Sequence, residues 1–319
     1  MLTRAFFYGA ACAAALLLAA PGAGWAQGTA TMPAGSASKA ADDDLQAAIT
    51  KSNAYTGLMN RTLRAIQSWE RYGSWVDMKK GPTGKERYIT YGLYSLYDVA
   101  SETKKAEEAM AREPKLPAID ETMGRYIKAY QELAPLITKA ERYYDRKDYR
   151  DDNLAEGQKL HALMVPAAKT FLEERSKLDA LMRVYKRGLD QRELASVEQR
   201  EGKSARWQVR NIMINARAVM DLMPSNESPI VDLKSFNAAV ADYAAAVREM
   251  DAFKDKETKG VPFIESQASS WLGKLRDFSD KLAKSKGDVR RGAANDANWI
   301  VNNYNTMVSL SETAIRMSR

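Results

Sequence analysis

Apolar residues recur at alternating spacings of three and four along almost the whole chain after Asp42, which keeps one face of a 3.6-residue helix turned inward. Tyr126, Tyr130, Leu133, Ile137, Ala140 and Tyr144 follow this rhythm, and so do Leu233, Phe236, Val240, Tyr243, Val247 and Met250. It returns in Ile264, Ala268, Trp271, Leu275, Phe278 and Leu282, and in Ala297, Ile300, Tyr304, Met307 and Ala314. Further helices are predicted near 42–76, 91–112, 153–200 and 204–223, which makes about eight. Strand-like alternation does not persist beyond a few residues, so a sheet-based enzyme fold is excluded. The predicted fold class is all-α, an elongated multi-helix bundle whose near-parallel helices interlock along these seams.

Pro135 and Pro166 fall inside helical patterns and are expected to kink them, because each removes a backbone donor and crowds the preceding turn. Breaks carrying Pro or Gly occur at 79–90, 113–117, 224–229 and 260–262. Of these, PSNESP at Pro224–Pro229 is the best candidate for a boundary between two sub-bundles, and a single bundle fits the same pattern.

The first residues break the rhythm. Arg4, an apolar run from Ala5 to Ala20, a Pro21–Gly22 break and the small residues Gly24 and Ala26 form a secretory leader with cleavage expected after Ala26. The apolar run is shorter than the roughly 20 residues of a spanning helix, and no later stretch is long and apolar enough to span. Cys12 follows Gly9, Ala10 and Ala11, the small residues a lipidation site needs, but the strongest apolar run lies after it, so anchoring through Cys12 is not expected. Residues 27–41, small and polar, read as a flexible lead-in to a helical domain over 42–319. Export to a bacterial periplasm is the expected destination.

Composition narrows the chemistry. The 319 residues include one His and one Cys, with 28% charged and 45% hydrophobic side chains, which describes a well-cored chain that needs no disulfide or metal staple. Most His- and Cys-dependent catalysis is excluded on these counts, and neither a cofactor nor a metal is expected. The net charge of +7 is spread without a Lys/Arg block and reads as solvated helix faces. With export expected, nucleic acid is not an expected partner, whereas an envelope protein or a cell-wall or lipid component is. Oligomeric state is left open.

Candidate motifs are few. GPTGKE, Gly81–Glu86, lacks the glycine five positions before its Gly-Lys pair and the Ser or Thr after it that a phosphate loop requires; it reads as a turn set by Pro82 and Gly84. The segment YYDRKDYRDDN, Tyr143–Asn153, is the densest polar feature, and Tyr144, Asp145, Asp148, Tyr149, Asp151 and Asp152 form a candidate binding corner. It is not a calcium hand, because Arg150 stands where such a loop needs Gly. The alternative account of its acids is capping, with Asp151, Asp152 and Asn153 satisfying the unpaired N–H groups of the next helix. His161 is the only side chain that titrates near neutrality without a shift. Its i−3 neighbour is Gln158, so the Glu-x-x-His pair of a carboxylate-bridged metal bundle is missing, and a hydrogen-bonded structural role is expected.

Tyr88, Tyr91, Tyr94 and Tyr97 recur every three residues. On an α-helix that spacing drifts by about 60° per step, so some rings leave the core, and with Trp69 and Trp75 they offer an aromatic shelf for a glycan or a partner helix. Packing in a wide-faced bundle accounts for the same spacing. Tyr88 and Tyr91 therefore join the corner as candidate binding residues.

The segments KSNAY (Lys51–Tyr55) with Asn60, GPTGKE, YYDRKDYRDDN and KLH (Lys159–His161) resemble the YiiG-like family of bacterial envelope proteins of unknown function, over a stretch from about Asp42 to the C-terminus. The resemblance implies an exported, all-helical protein, often a lipoprotein, with no established activity or catalytic residues. The expectation is a non-enzymatic binding or interaction protein of the envelope. The alternatives are a carboxylate hydrolase using Asp148 and Asp152 with help from His161, or a carrier of a metal or small ligand.

Overall fold

The computed structural model describes residues 34–224, 228–254 and 264–317. The expected leader, the start of the lead-in and part of the Pro224–Pro229 turn lie outside the described residues. Within them the chain is all-α, with nine α-helices, two 3-10 turns and only an isolated bridge between Ile230 and Asp288 outside the helices. No helix among the described residues is long and apolar enough to cross a membrane.

The ninth helix arises because the pattern near 42–76 is broken once. α1 (Ala34–Arg61) and α2 (Leu63–Gly73) meet at Thr62, whose hydroxyl donates back to the carbonyls of Leu58 and Met59. Such back-bonding competes with the helical ladder, and the Met59 carbonyl also accepts from Arg175 at 2.7 Å. α1 begins earlier than the predicted start, because the Ala-rich stretch that follows Pro33 is a good helix former.

α3 (Ala100–Ala111) is followed by α4 (Pro117–Arg146), which starts with Pro at its first position and Asp120 in its first turn, both favoured there. α5 (Ala155–Glu201) is the longest helix. α4 runs through Pro135 and α5 through Pro166 without ending.

The chain divides into two compact units between Lys186 and Arg187, inside α5. In the unit that ends at Lys186, α1 packs on α3, and α4 packs on α2 and α3. One apolar core joins them, with Tyr55, Leu58, Tyr72, Met123, Tyr126, Leu133, Ile137 and Phe171 all but fully buried. Arg175 is buried in this core, where its Nη1 donates to the Met59 carbonyl and to Tyr126 Oη at 3.0 Å and its Nε lies 3.4 Å from Asp179.

The second unit holds α6 (Ala205–Met220), α7 (Leu233–Lys254), α8 (Glu265–Lys284) and α9 (Ala294–Met317). Each packs on the next and α9 returns to α6, a closed four-helix arrangement. Its core contains Phe236, Tyr243, Trp271, Phe278, Ile300 and Met307; the indole of Trp271 donates to the Ile300 carbonyl at 3.0 Å and Tyr243 to that of Ala268 at 3.1 Å. Residues 224–229 link α6 and α7, which pack together in this unit, and the two compact units divide at Lys186–Arg187.

The helix predicted over 91–112 forms only in its second half. Ile89–Tyr91 is a 3-10 turn and residues 92–99 have no regular structure. Gly92 explains the stop, with φ +54° and ψ −141°, a conformation that favours glycine. Some of the backbone groups that a helix would have paired are taken by side chains of α2 and of the turn that follows it. Ser68 Oγ donates to the Tyr94 carbonyl and accepts the Tyr94 N–H, and Trp75 Nε1 donates to the Gly92 carbonyl at 2.9 Å.

Candidate functional site

The polar corner forms where α4 ends and α5 begins. Lys147 takes a left-handed conformation (φ 64°) that closes α4, a 3-10 turn follows over Asp148–Arg150, and Asp152 lies three residues before the start of α5. The Asp152 carboxylate accepts from the N–H of Leu154 and of Glu156, each at 2.9 Å, and from Tyr143 Oη at 2.7 Å. The Glu156 N–H, then Tyr143 and the Leu154 N–H, hold this carboxyl below the usual range against the opposing pull of burial. Asp152 is thus the cap of α5. Asp145 and Asp151 lie on the surface nearby and Asp148 is half-buried.

Behind the corner the aromatic residues close into one cluster. Tyr144 is buried and its ring lies 5.0 Å from Trp75, 6.2 Å from Tyr72 and 6.2 Å from Tyr149. Burial pushes the Tyr144 and Tyr72 phenols well up. His161 completes the cluster, buried, with Nδ1 3.0 Å from Tyr72 Oη and a further hydrogen bond to the Met78 backbone. Burial lowers its pKa against the opposing effects of Met78 and Asp77. A neutral imidazole serves both neighbours, donating to the Met78 carbonyl and accepting the phenol proton. The proposed shelf is not built from the two tryptophans, since Trp75 is buried and Trp69 stacks 5.7 Å from Tyr72.

The GPTGKE turn is filled by its own acid. Glu86 accepts from the Thr83 N–H (2.5 Å), the Thr83 hydroxyl (2.7 Å) and the Gly84 N–H (2.8 Å). Burial works against its charge, but these bonds outweigh it and hold the carboxyl low. Gly81, at φ +77°, lies so close to His161 and Gln158 that an added Cβ would come within 2.7 Å of Gln158 Oε1. Gln158 in turn donates to the Pro82 carbonyl.

Tyr88 and Tyr91 belong to a different assembly. Their rings stack 5.0 Å apart at 24°, and a column of tyrosines and arginines continues from them. Arg87 lies 5.3 Å from the Tyr88 ring and Arg71 lies 5.6 Å from Tyr91 and 4.2 Å from Tyr94. Arg64 follows, 4.1 Å from Tyr94 and 5.5 Å from Tyr97, and Arg61 ends the column 4.6 Å from Tyr97.

Three of these arginines also tie the backbone of the same segment. Arg71 Nε donates to the Tyr91 carbonyl (2.6 Å), Arg64 Nε to Ser95 (3.2 Å) and Arg61 Nε to Asp98 (3.1 Å). Arg61, Arg64, Arg71 and Arg87 have no carboxylate within ion-pair distance among the described residues. Tyr88 (42%), Tyr91 (40%) and Tyr97 (50%) are exposed enough to meet a partner.

Beyond Arg61 the column opens into a groove of about 890 Å³ between α1 and α3. Its floor is Ala47, Ala54, Gly57 and Ala109, and Gln46, Asn53 and Asn60 supply amides from α1. A Cβ added at Gly57 would meet nothing within 4 Å, which marks the open part of the groove. Lys51 holds one end together, donating to the carbonyls of Arg112 and Pro114 and to Asp120, which also accepts from Tyr55 at 2.5 Å. Sequence reasoning missed the arginines and the groove. The signal for the column was available in the positions Arg61, Arg64 and Arg71, spaced by three and seven as one helix face would be, set against tyrosines spaced by three.

Among the described residues no group of three or more His, Cys, Asp or Glu side chains is placed to hold a metal ion. A family model described as "Protein of unknown function (DUF3829)" matches residues 46–310, which takes in most of both units. The chain is also similar to an uncharacterized protein, YiiG, of Escherichia coli (strain K12), 28% identical over 280 residues that cover 81% of this chain and 76% of that protein. No solved structure matches.

Proposed function

The chain belongs to the DUF3829 family of proteins of unknown function, and we propose that it is an exported, periplasmic binding protein of the cell envelope that works without catalysis. It meets its partner through the tyrosine–arginine column. The observation that carries this reading is the column itself, where four guanidiniums without carboxylate partners among the described residues interleave with exposed tyrosines. Charged pairs on a surface contribute little to folding, whereas Tyr and Arg in one row supply large contact area and directional donors to a partner.

The reading draws support from what the other candidate residues do. Asp152 is occupied in capping α5, and His161 is enclosed with Tyr72, so the pair most suited to acid–base work faces the protein's own groups. The leader at residues 1–26 supports export.

The test is co-sedimentation of the mature protein with isolated cell envelopes. The expected result is retention that the double change Arg64→Gln, Arg71→Gln abolishes and that Asp145→Asn, Asp148→Asn leaves intact. Retention indifferent to Arg64 and Arg71 contradicts the reading.

A further inference from the structure

We propose that the column and the α1–α3 groove form one continuous site for a linear acidic polysaccharide; this rests on the reading that the column is the binding face and names its ligand class. Continuity comes from Arg61 and Tyr97, which stack on each other at the end of the column and also line the groove.

The chemistry of the column selects among anionic ligands. Tyr94 is flanked by Arg71 and Arg64, Tyr97 by Arg64 and Arg61, and Tyr91 by Tyr88 and Arg71. Each of these rings already carries a guanidinium contact, which leaves to the ligand the phenol hydroxyls and the Nη groups not engaged within the protein, Arg64 Nη1 donating to Gln67 Oε1 at 3.3 Å. A neutral glycan stacking on these rings would compete with the guanidiniums already in contact with them. A row in which cationic forks alternate with phenol hydroxyls complements a chain in which oxyanions alternate with hydroxyls, and a guanidinium binds carboxylate or sulfate through paired N–H donors. A bilayer presents its headgroups as a plane above an apolar layer, and a single file of donors matches one strand better.

The groove fits the uncharged part of the same polymer. Its lining carries Lys51, Arg61, Lys105 and Arg112 against Glu102, Glu108 and Glu113, with Arg112 paired to Glu108 at 3.1 Å and Lys51 to Asp120 at 2.9 Å, so little net charge faces the groove away from Arg61. Amides at Gln46, Asn53 and Asn60 each offer a donor and an acceptor to sugar hydroxyls, over a floor of Ala47, Ala54 and Gly57 that suits the C–H face of a sugar ring. The volume lies within the roughly 300–1,000 Å³ of ligand sites.

The experiment titrates the mature protein with oligogalacturonate, with a neutral dextran oligomer, with inorganic polyphosphate and with phosphatidylglycerol vesicles. The expected result is oligogalacturonate binding that weakens as salt rises and falls roughly ten-fold or more in Arg64→Gln, Arg71→Gln. Gly57→Leu, which places a good helix former in the open groove, is expected to weaken binding several-fold while keeping the salt dependence. If the arginine variant fails to fold by circular dichroism, Gly57→Leu alone carries the test. Binding of polyphosphate or vesicles without oligogalacturonate, or oligogalacturonate binding unchanged in Gly57→Leu, overturns the proposal. If oligogalacturonate does not bind while envelope retention still depends on Arg64 and Arg71, the ligand class falls and the binding face stands; if retention is also independent of them, both fall.

Discussion

The Arg64 guanidinium lies 4.1 Å from the centre of the Tyr94 ring while its Nε donates to the carbonyl of Ser95, the next residue. One side chain thus fixes both a ring and the backbone beside it. Arg71 repeats the arrangement with Tyr91 and Arg61 with Asp98 and Tyr97, so α1 and α2 clamp a segment with no regular structure of its own. The clamp keeps the tyrosines at fixed intervals, and a pre-ordered row binds with less loss of side-chain entropy than free side chains would.

The buried arginine of the first unit predicts a large stability effect. In Arg175→Ala the Met59 carbonyl, Tyr126 Oη and Asp179 lose their cationic partner. Breaking a buried pair by removing one member costs about 3 kcal/mol, and urea denaturation is expected to show a loss of that order. Asp179→Asn, whose carboxyl burial already pushes up against the pull of Arg175, is expected to cost less.

Two carboxyls, one in the corner and one in the GPTGKE turn, are among those that make the fold acid-sensitive. Asp152 and Glu86 are held below their ordinary values of 3.8 and 4.5 in the folded protein. Their contribution is complete above those values and is lost as pH falls through the lower folded ones. Asp152→Asn is expected to lower Tm at pH 7 and to flatten the fall of Tm between pH 5 and pH 2, roughly the window of carboxylate titration.

His161 acts in a milder range. Its folded pKa lies below 6.5 because burial disfavours the imidazolium. The unfolded chain therefore takes up the proton first, and stability falls as pH drops below about 6.5. A nuclear magnetic resonance titration of the single imidazole is expected to show a midpoint below 6.5, and His161→Gln is expected to remove this part of the pH dependence.

Two glycines predict changes of opposite sign. At Gly287, with φ +87°, an added Cβ would lie 2.4 Å from the Val231 carbonyl oxygen, so Gly287→Ala is expected to destabilise the second unit by about 1–3 kcal/mol. Gly57 is helical with open space around it, and Gly57→Ala is expected to stabilise by about 1 kcal/mol. Differential scanning calorimetry on both variants reads the two signs directly.

Fold class was legible because the apolar rhythm is long and uninterrupted, and α4, α7 and α8 sit close to where Tyr126–Tyr144, Leu233–Met250 and Ile264–Leu282 place them. Thr62 and Gly92 defeated the boundaries: a hydroxyl that back-bonds and a glycine at positive φ act against a pattern that otherwise continues. In the corner, Asp152 as a cap was legible from its place before an apolar run, whereas Asp151 carries no such bond. The column was half visible. Four tyrosines spaced by three read as a drifting helix face, because Arg64 and Arg71, which flank Tyr94, come from a segment more than twenty residues before it and only tertiary contact brings the two together.

The central claim is that the column is the face that meets the envelope. Photo-crosslinking side chains placed singly at Tyr91 and Tyr97, and for comparison at Asp145 and Asp148, are tested in intact cells, and the products are resolved by mass spectrometry. The account predicts crosslinked envelope material from Tyr91 and Tyr97 and none from the two aspartates; crosslinks from Asp145 or Asp148 with silence at the tyrosines contradict it.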